Sequence, residues 1–145
     1  MSIKDFIGKE GSAKIVDAIK EAELNTSGEV RVHIESNCKG DPIDRAVYLF
    51  KYLKMYNTEA RNGVLFYVAV KSKKIAVIGD DGINSVVPSD FWNSIICQME
   101  SDFKNGRQID GLVTAIKSTG ESLKKYFPYK SNDVNEQPDE ISFGD

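Results

Sequence analysis

The chain has 145 residues, of which 19 are Lys or Arg, 22 are Asp or Glu, two are Cys and one is His, and its formal net charge is −3. This length favours one domain with a core of its own, since folding buries about two-thirds of the surface of a chain of this size. The lone His excludes a multi-His zinc site and the two Cys exclude a disulfide scaffold. The acidic balance argues against a general nucleic-acid binder.

The negative charge belongs to the C-terminal part of the sequence. Residues 129–145 contain five acidic residues and one lysine, whereas residues 1–128 are almost neutral. We therefore predict one α/β domain over residues 1–128 and an acidic, flexible tail over residues 129–145. Three apolar residues among the acids leave open whether the tail docks on the domain, namely Val134, Ile141 and Phe143.

Membrane signals are weak in this sequence. The first ten residues carry charges every few positions and no apolar stretch of the kind that a secretory signal requires. The longest apolar run, residues 64–70, is too short to cross a bilayer as a helix. We therefore expect a cytoplasmic protein that does not insert directly into a membrane.

The first half of the chain alternates between helix and strand patterns. Ser12 is an expected N-cap, and the apolar residues that follow it recur at helical spacing. Strict apolar and polar alternation over residues 30–34 predicts a strand. Pro42 suits the first turn of a second helix, which we expect to end near residues 56–57.

The second half begins with two apolar strands. Residues 64–70 predict a strand buried on both faces, and residues 75–78 predict a second strand joined to it as a hairpin. Two helices are then predicted, the first over residues 88–105 and the second over residues 109–127. The order α-β-α-β-β-α-α predicts a three-layer α/β/α sandwich, with a small mixed sheet built from a βαβ unit and an antiparallel hairpin.

This topology brings polar residues together at one edge of the sheet. The two parallel strands begin at that edge, and the third strand, running backwards, ends there. Residues far apart in the sequence are thus expected to converge. They are Thr26, Glu29, Arg61, Asn62, Asp80 and Asp81.

Carboxylate, amide and hydroxyl oxygens are hard ligands that suit Ca²⁺ or Mg²⁺, and these residues supply all three kinds. Other interpretations stay open. The sequence Asp80-Asp81-Gly82 is also that of an ordinary turn. Arg61 could pair with Glu29 or Asp80 and replace a metal, or it could hold a phosphate. His33 is interpreted as a packed or surface residue of its strand.

Three blocks of the sequence resemble the signature blocks of the TPM domain family. They read TSGEVRVH (residues 26–33), RNGVLFYV (61–68) and IGDDGI (78–83). The C-terminal helices are also similar to those of the family, and residues 133–144 resemble the tail of a soluble bacterial branch.

The resemblance implies an α/β/α sandwich. The family includes a thylakoid-lumen protein, linked to photosystem II repair, for which acid phosphatase activity was proposed. It also includes bacterial members anchored in membranes and members that bind divalent cations, calcium in particular. The resemblance also implies a metal-related role for Asp80, Asp81 and Glu29. The chain carries Arg61 where many relatives carry Asp, and we expect it to lack the membrane elements of the anchored members.

The sequence therefore predicts a Ca²⁺- or Mg²⁺-binding domain that acts through a protein partner, which could itself be membrane-associated. One alternative is a metal-assisted phosphatase, in which Asp80 or Asp81 is the base or nucleophile and Arg61 neutralises charge. A second alternative is a metal-free structural interaction module. The predicted metal ligands are Asp80, Asp81, Glu29, Asn62 and Thr26.

Overall fold

The computed structural model describes residues 3–24, 26–128, 139 and 141–144. Among these residues, no helix is both long enough and apolar enough to cross a membrane. The elements in chain order are α1 (Ile3–Glu23), β1 (Glu29–Glu35), α2 (Pro42–Tyr52), β2 (Gly63–Ala69), β3 (Lys74–Gly79), α3 (Asp81–Asn84), α4 (Phe91–Lys104), α5 (Gln108–Tyr126) and β4 (Ser142–Phe143).

The strands form one mixed sheet in the order β3-β2-β1-β4. β1 and β2 are parallel and are joined through α2, which confirms the predicted βαβ unit. β2 and β3 are antiparallel, which confirms the predicted hairpin. β4 lies parallel to β1 on the other side and covers part of its outer edge.

Helices cover both faces of this sheet and give it two cores. Alternate strand residues such as Val32 and Phe66 pack with α1, α4 and α5 on one face. Leu65 and Tyr67 point the other way and pack under α2, against residues such as Phe50. The predicted three-layer α/β/α sandwich is therefore confirmed, and β2 is buried along its whole length, as its apolar sequence indicated.

Two helix boundaries differ from the sequence prediction. Ser12 is not an N-cap, because α1 already begins at Ile3 and contains a kink at Gly8 with φ 78° and ψ 165°. The charged residues before Ser12 hid this first segment, whose Ile7 packs against the core. α2 ends at Tyr52, earlier than expected, because Lys54 takes a positive φ of 56° that a continuing helix does not allow.

Two short elements have no counterpart in the predicted order. α3 begins directly after Asp80, within a stretch that the sequence also allowed to be a turn. β4 lies inside the predicted tail, where Ser142 and Phe143 pair with His33 and Ile34 of β1. The tail prediction otherwise concerns residues 129–138, 140 and 145, which lie outside the described residues.

Candidate functional site

The predicted meeting of strand ends is present in the structure. Glu29 at the start of β1 is in register with Gly63 at the start of β2, and its N–H donates to the Asn62 carbonyl at 3.3 Å. The Asp80 N–H, just after β3, donates to the Gly63 carbonyl at 3.0 Å. We call the group Glu29, Arg61, Asn62, Asp80 and Asp81 the acidic edge.

Asp80 organises this edge through its side chain. Its carboxylate is the N-cap of α3 and accepts the Asp81 N–H at 2.8 Å. It also accepts two hydrogen bonds from the Arg61 guanidinium, Nε at 2.7 Å and an Nη at 2.8 Å. These hydrogen bonds raise the pKa of Arg61. Of the interpretations left open by the sequence, the structure shows the Arg61–Asp80 ion pair.

The predicted ligands Asp81 and Thr26 differ in their availability. The Asp81 side chain is 91% exposed and lies 3.9 Å from Arg61. The Thr26 hydroxyl donates to the Leu123 carbonyl at 3.0 Å and lies close to the Phe127 carbonyl, so it secures the C-terminal end of α5. A metal could therefore recruit Asp81 at little cost, whereas Thr26 already has a structural task.

Asn62 and Glu29 are buried, as Asp80 is. The Asn62 side chain donates to Ser27 Oγ at 3.2 Å. Its Oδ1 is buried and has no hydrogen-bond partner in the described part of the chain, which leaves one acceptor for a ligand. Across residues 3–24, 26–128, 139 and 141–144, no group of three His, Cys, Asp or Glu side chains is arranged to hold a metal ion. A cation here would thus require a rearrangement of the acidic edge.

A second cluster of polar side chains lies at the opposite end of β1, and we call it the His33 cluster. Its centre is the Glu35 carboxylate, which accepts from Arg45 Nε at 2.9 Å and Nη2 at 2.8 Å, and from the Tyr67 hydroxyl. His33 Nε2 lies 3.1 Å from Glu35, and its Nδ1 lies 2.9 Å from Ser142 Oγ. A short strand of the tail is therefore joined to the sheet through a buried histidine.

The protonation states of the His33 cluster follow from its contacts. Burial by itself raises the pKa of Glu35, but the hydrogen bonds from Arg45, Tyr67 and His33 outweigh it and bring this pKa to about 2. Burial, followed by the bond to Glu35, raises the pKa of Tyr67. Burial also lowers the pKa of His33. At neutral pH the cluster therefore contains one carboxylate, one guanidinium, a neutral phenol and a neutral imidazole.

Sequence reasoning did not find the His33 cluster. A partial signal exists, because His33 and Glu35 share one face of β1 and Arg45 falls in the first turn of the helix that follows. Arg45 lies at the end of the sheet opposite the acidic edge, so the topology that gathers the acidic edge does not bring it there. Ser142 is 109 residues from His33, and no local pattern links them.

A protein-family model for the TPM domain matches residues 3–122. The chain belongs to the TPM domain family. The match covers every described element from α1 to most of α5, and therefore both the acidic edge and most of the His33 cluster. A comparison of this TPM domain with curated proteins found no significant match.

The solved structures that are similar to this TPM domain include the BA42 protein and the N-terminal domain of the cg2496 protein. The NMR structure of the BA42 protein from the psychrophilic bacterium Bizionia argentinensis has 48% sequence identity and a TM-score of 0.90, with 99% of each chain covered. The N-terminal domain of the cg2496 protein from Corynebacterium glutamicum has 12% identity and a TM-score of 0.69, covering 94% of this chain and 86% of that one. The second likeness shows the fold alone.

Proposed function

We propose that this TPM domain binds a divalent cation, Ca²⁺ or Mg²⁺, at the acidic edge in competition with Arg61. The observation that carries the proposal is the Asp80 carboxylate, which is only 6% exposed and already holds a positive group. Asp81 lies beside it as a second, exposed carboxylate. A divalent cation satisfies the same carboxylate with twice the charge of a guanidinium.

Arg61 is suited to leave this position. Its side chain is 48% exposed, so the guanidinium can move into water without crossing the core. Its backbone has a positive φ of 52°, which is strained for a residue other than glycine. Its departure would open the Asp80 oxygens. The buried Oδ1 of Asn62, the residue that follows Arg61, would then be available as a neutral acceptor.

An NMR titration of the ¹⁵N-labelled chain with CaCl₂ and with MgCl₂ tests this proposal. We expect the amides of Gly79, Asp81 and Gly82 to shift at millimolar metal. The substitution Arg61→Gln should lower the half-saturating concentration several-fold, and Asp80→Asn should abolish the shifts. Arg107→Gln is the matched control, because it breaks an arginine–aspartate pair with Asp102 elsewhere. Unshifted amides, or equal affinity in the Arg61→Gln protein, would contradict it.

The same edge could instead support metal-assisted phosphatase activity. The arrangement that favours it is Arg61 beside two carboxylates, since a guanidinium can neutralise charge on a phosphoryl group. We rank it second because the hydrogen bonds of the Asp80 carboxylate go to Arg61 and to the Asp81 N–H, neither of which activates a nucleophile. Metal-dependent phosphate release that disappears in Asp81→Asn would reverse this order.

We also propose that the domain acts in the cytoplasm through a protein partner. The surface proposed to contact this partner is α2. This helix exposes an apolar and aromatic stripe while its opposite side packs on the sheet. Tyr48 and Tyr52 stack with their rings 6.1 Å apart, and tyrosine is a preferred residue at protein interfaces. The other exposed members of the stripe are Ile43 and Val47.

A comparison of two double variants in a pull-down from cells separates the partner role from the metal role. Tyr48→Ala/Tyr52→Ala should lose the partner, because it removes the exposed aromatic surface. Asp80→Asn/Asp81→Asn should weaken the partner only if the cation site supports the interaction. An unchanged pull-down with the aspartate variant favours the metal-free interaction module. Full retention by the tyrosine variant would exclude α2 as the contact.

A further inference from the structure

An apolar groove of about 830 Å³ lies at the edge of the sheet opposite the acidic edge. Its floor is formed by the carboxyl ends of the parallel strands β1 and β2, at Ile34 and Val68, and by Val70 just beyond. Phe103 and Ile109, from α4 and α5, form a wall. Open α/β sheets bind ligands outside the carboxyl ends of their strands, so this is the position where a ligand is expected.

We propose that this groove binds a single-chain amphiphile with an anionic head, of the class of a fatty-acid carboxylate. The apolar floor and wall would accept the alkyl chain. The carboxylate would lie at the rim. The volume falls in the range of about 300–1,000 Å³ that is typical of small-molecule pockets, and the groove is concave, unlike the flatter faces of most protein interfaces.

The charges at the rim specify the head group. Lys73, in the turn between β2 and β3, and Lys104, at the end of α4, both line the groove. Within the described part of the chain, neither ammonium group has an ion-pair partner. Glu100, one turn before Lys104, also lines the groove and opposes an anion. The net charge of these three side chains is positive, so an anionic head group should bind more tightly than a cationic one.

The N-terminal part of α1 contributes to the same groove. Ile7 lines it and also packs against the core, directly before the kink at Gly8. The kink turns this short segment relative to the rest of α1, with Ile7 bordering the groove. Gly8 adopts a φ of 78° without strain because it has no side chain, and the resulting kink places Ile7 at the groove.

The experiment is an NMR titration of the full chain with sodium dodecanoate below its micelle concentration. We expect saturable shifts at the amides of Ile34, Val70 and Ile109. Dodecyltrimethylammonium, which has the same chain and the opposite charge, should bind at least tenfold more weakly. Equal affinity for the two amphiphiles would overturn the proposal, because it would reduce the groove to a non-specific apolar surface.

Charge variants test the rim directly. Lys73→Glu/Lys104→Glu should weaken dodecanoate binding tenfold or more, whereas Lys73→Arg/Lys104→Arg should retain it. Glu100→Gln should strengthen it several-fold. The matched control is Lys51→Glu/Lys54→Glu, which reverses two charges at α2, on the other face of the sheet. Binding that ignores the reversal at the rim would overturn the proposal.

A variant that fills the groove provides an independent test. Val70→Trp should block dodecanoate without removing the lysines, because Val70 is half-buried at the floor of the groove. Its fold is checked by the unchanged amides of the acidic edge. A dilution series of the wild-type chain without dodecanoate tests whether the groove binds a second copy of the chain. Concentration-dependent shifts at the groove would overturn the proposal in favour of a second copy of the chain. Neither result bears on the cation proposal.

Discussion

The backbone of Gly144 lies directly against the carboxylate of Glu35. A Cβ atom at Gly144 would lie 2.6 Å from Glu35 Oε1 and 3.0 Å from His33 Nε2. The Gly144 N–H also donates to the Ile34 carbonyl at 2.8 Å, which continues the pairing of β4 with β1. Gly144 and the His33 cluster are therefore packed as one unit, and only a glycine fits at this position.

The first prediction follows from this contact. Gly144→Ala should loosen β4, because the added methyl group cannot be accommodated without moving the buried Glu35 and His33 side chains. We expect the amide of residue 144 to lose hydrogen-exchange protection and the His33 ring signals to shift. Gly40→Ala is the control, since a Cβ there meets no atom within 4 Å. Unchanged protection at residue 144 would contradict the prediction.

The second prediction concerns stability in acid. Glu35 has a pKa of about 2 in the folded protein, below its ordinary value of 4.5. Its carboxylate therefore stabilises the fold fully at pH values above 4.5. This contribution to the free energy of unfolding, about 3 kcal/mol, is lost as the pH falls from 4.5 towards the folded pKa of about 2. Glu35→Gln should therefore destabilise the protein at neutral pH and much less in acid, as measured by urea unfolding.

The control for this experiment is Glu121→Gln, which changes an exposed carboxylate at the surface of α5. It should leave the free energy of unfolding nearly unchanged at both pH values. A deficit of the Glu35→Gln protein that stays constant with pH would show that the hydrogen bonds of the cluster, and not its charge, matter.

The third prediction has the opposite sign and concerns Glu23. Burial, with a hydrogen bond to the Asp139 side chain, raises the pKa of Glu23 to about 10. Its contribution to stability is therefore full below the ordinary pKa of 4.5 and declines as the pH rises towards the folded pKa. Glu23→Gln, which cannot ionise, should be more stable than the wild type in mildly alkaline solution, and this advantage should shrink in acid.

Thermal unfolding at several pH values measures this difference. Glu21→Gln is the control, because Glu21 lies on the same helix but is exposed and forms a surface ion pair with Lys117 at 3.6 Å. A Glu23→Gln protein that is less stable than the wild type in alkaline solution would show that the carboxylate, rather than the acid, fits this site.

The fourth prediction tests how tightly α3 sits on the acidic edge. A Cβ at Gly82 would lie 2.2 Å from the Ala60 carbonyl oxygen and 2.6 Å from that of Arg61. Both are backbone atoms, so Gly82→Ala should cost about 1–3 kcal/mol. It should also disturb Trp92, the single tryptophan, whose Nε1 donates to Asn84 of α3 at 2.8 Å. Unaltered tryptophan fluorescence together with unaltered stability would contradict it.

The fold is predictable because the hydrophobic pattern of each main strand is clear in the sequence. The alternation at Val30 and Val32, and the unbroken apolar run of β2, identify one strand and one doubly buried strand. Their order also determines which strand ends meet, and so predicts that Asn62 lies next to Glu29. Topology, rather than a local motif, carried that part of the site.

Other features depend on choices between partners that a sequence does not rank. Arg61 could have paired with Glu29 or Asp80, and only three-dimensional packing selects Asp80. β4 is two residues long, too short for a periodic pattern, and its position depends on Ser142 reaching His33. Whether a cation displaces Arg61 depends on a difference between two binding energies, which neither the pattern nor the ion pair determines.

The pairing of β4 with β1 also sets a delay during synthesis. Ser142 follows His33 by 109 residues. A ribosome that adds about 5–20 residues per second makes the second partner roughly 5–20 s after the first. For that interval the outer edge of β1 has unpaired backbone groups, which attract other strands. The nascent chain is therefore most exposed to wrong pairing while most of the sheet is already made, until Ser142 and Phe143 emerge and cover part of that edge.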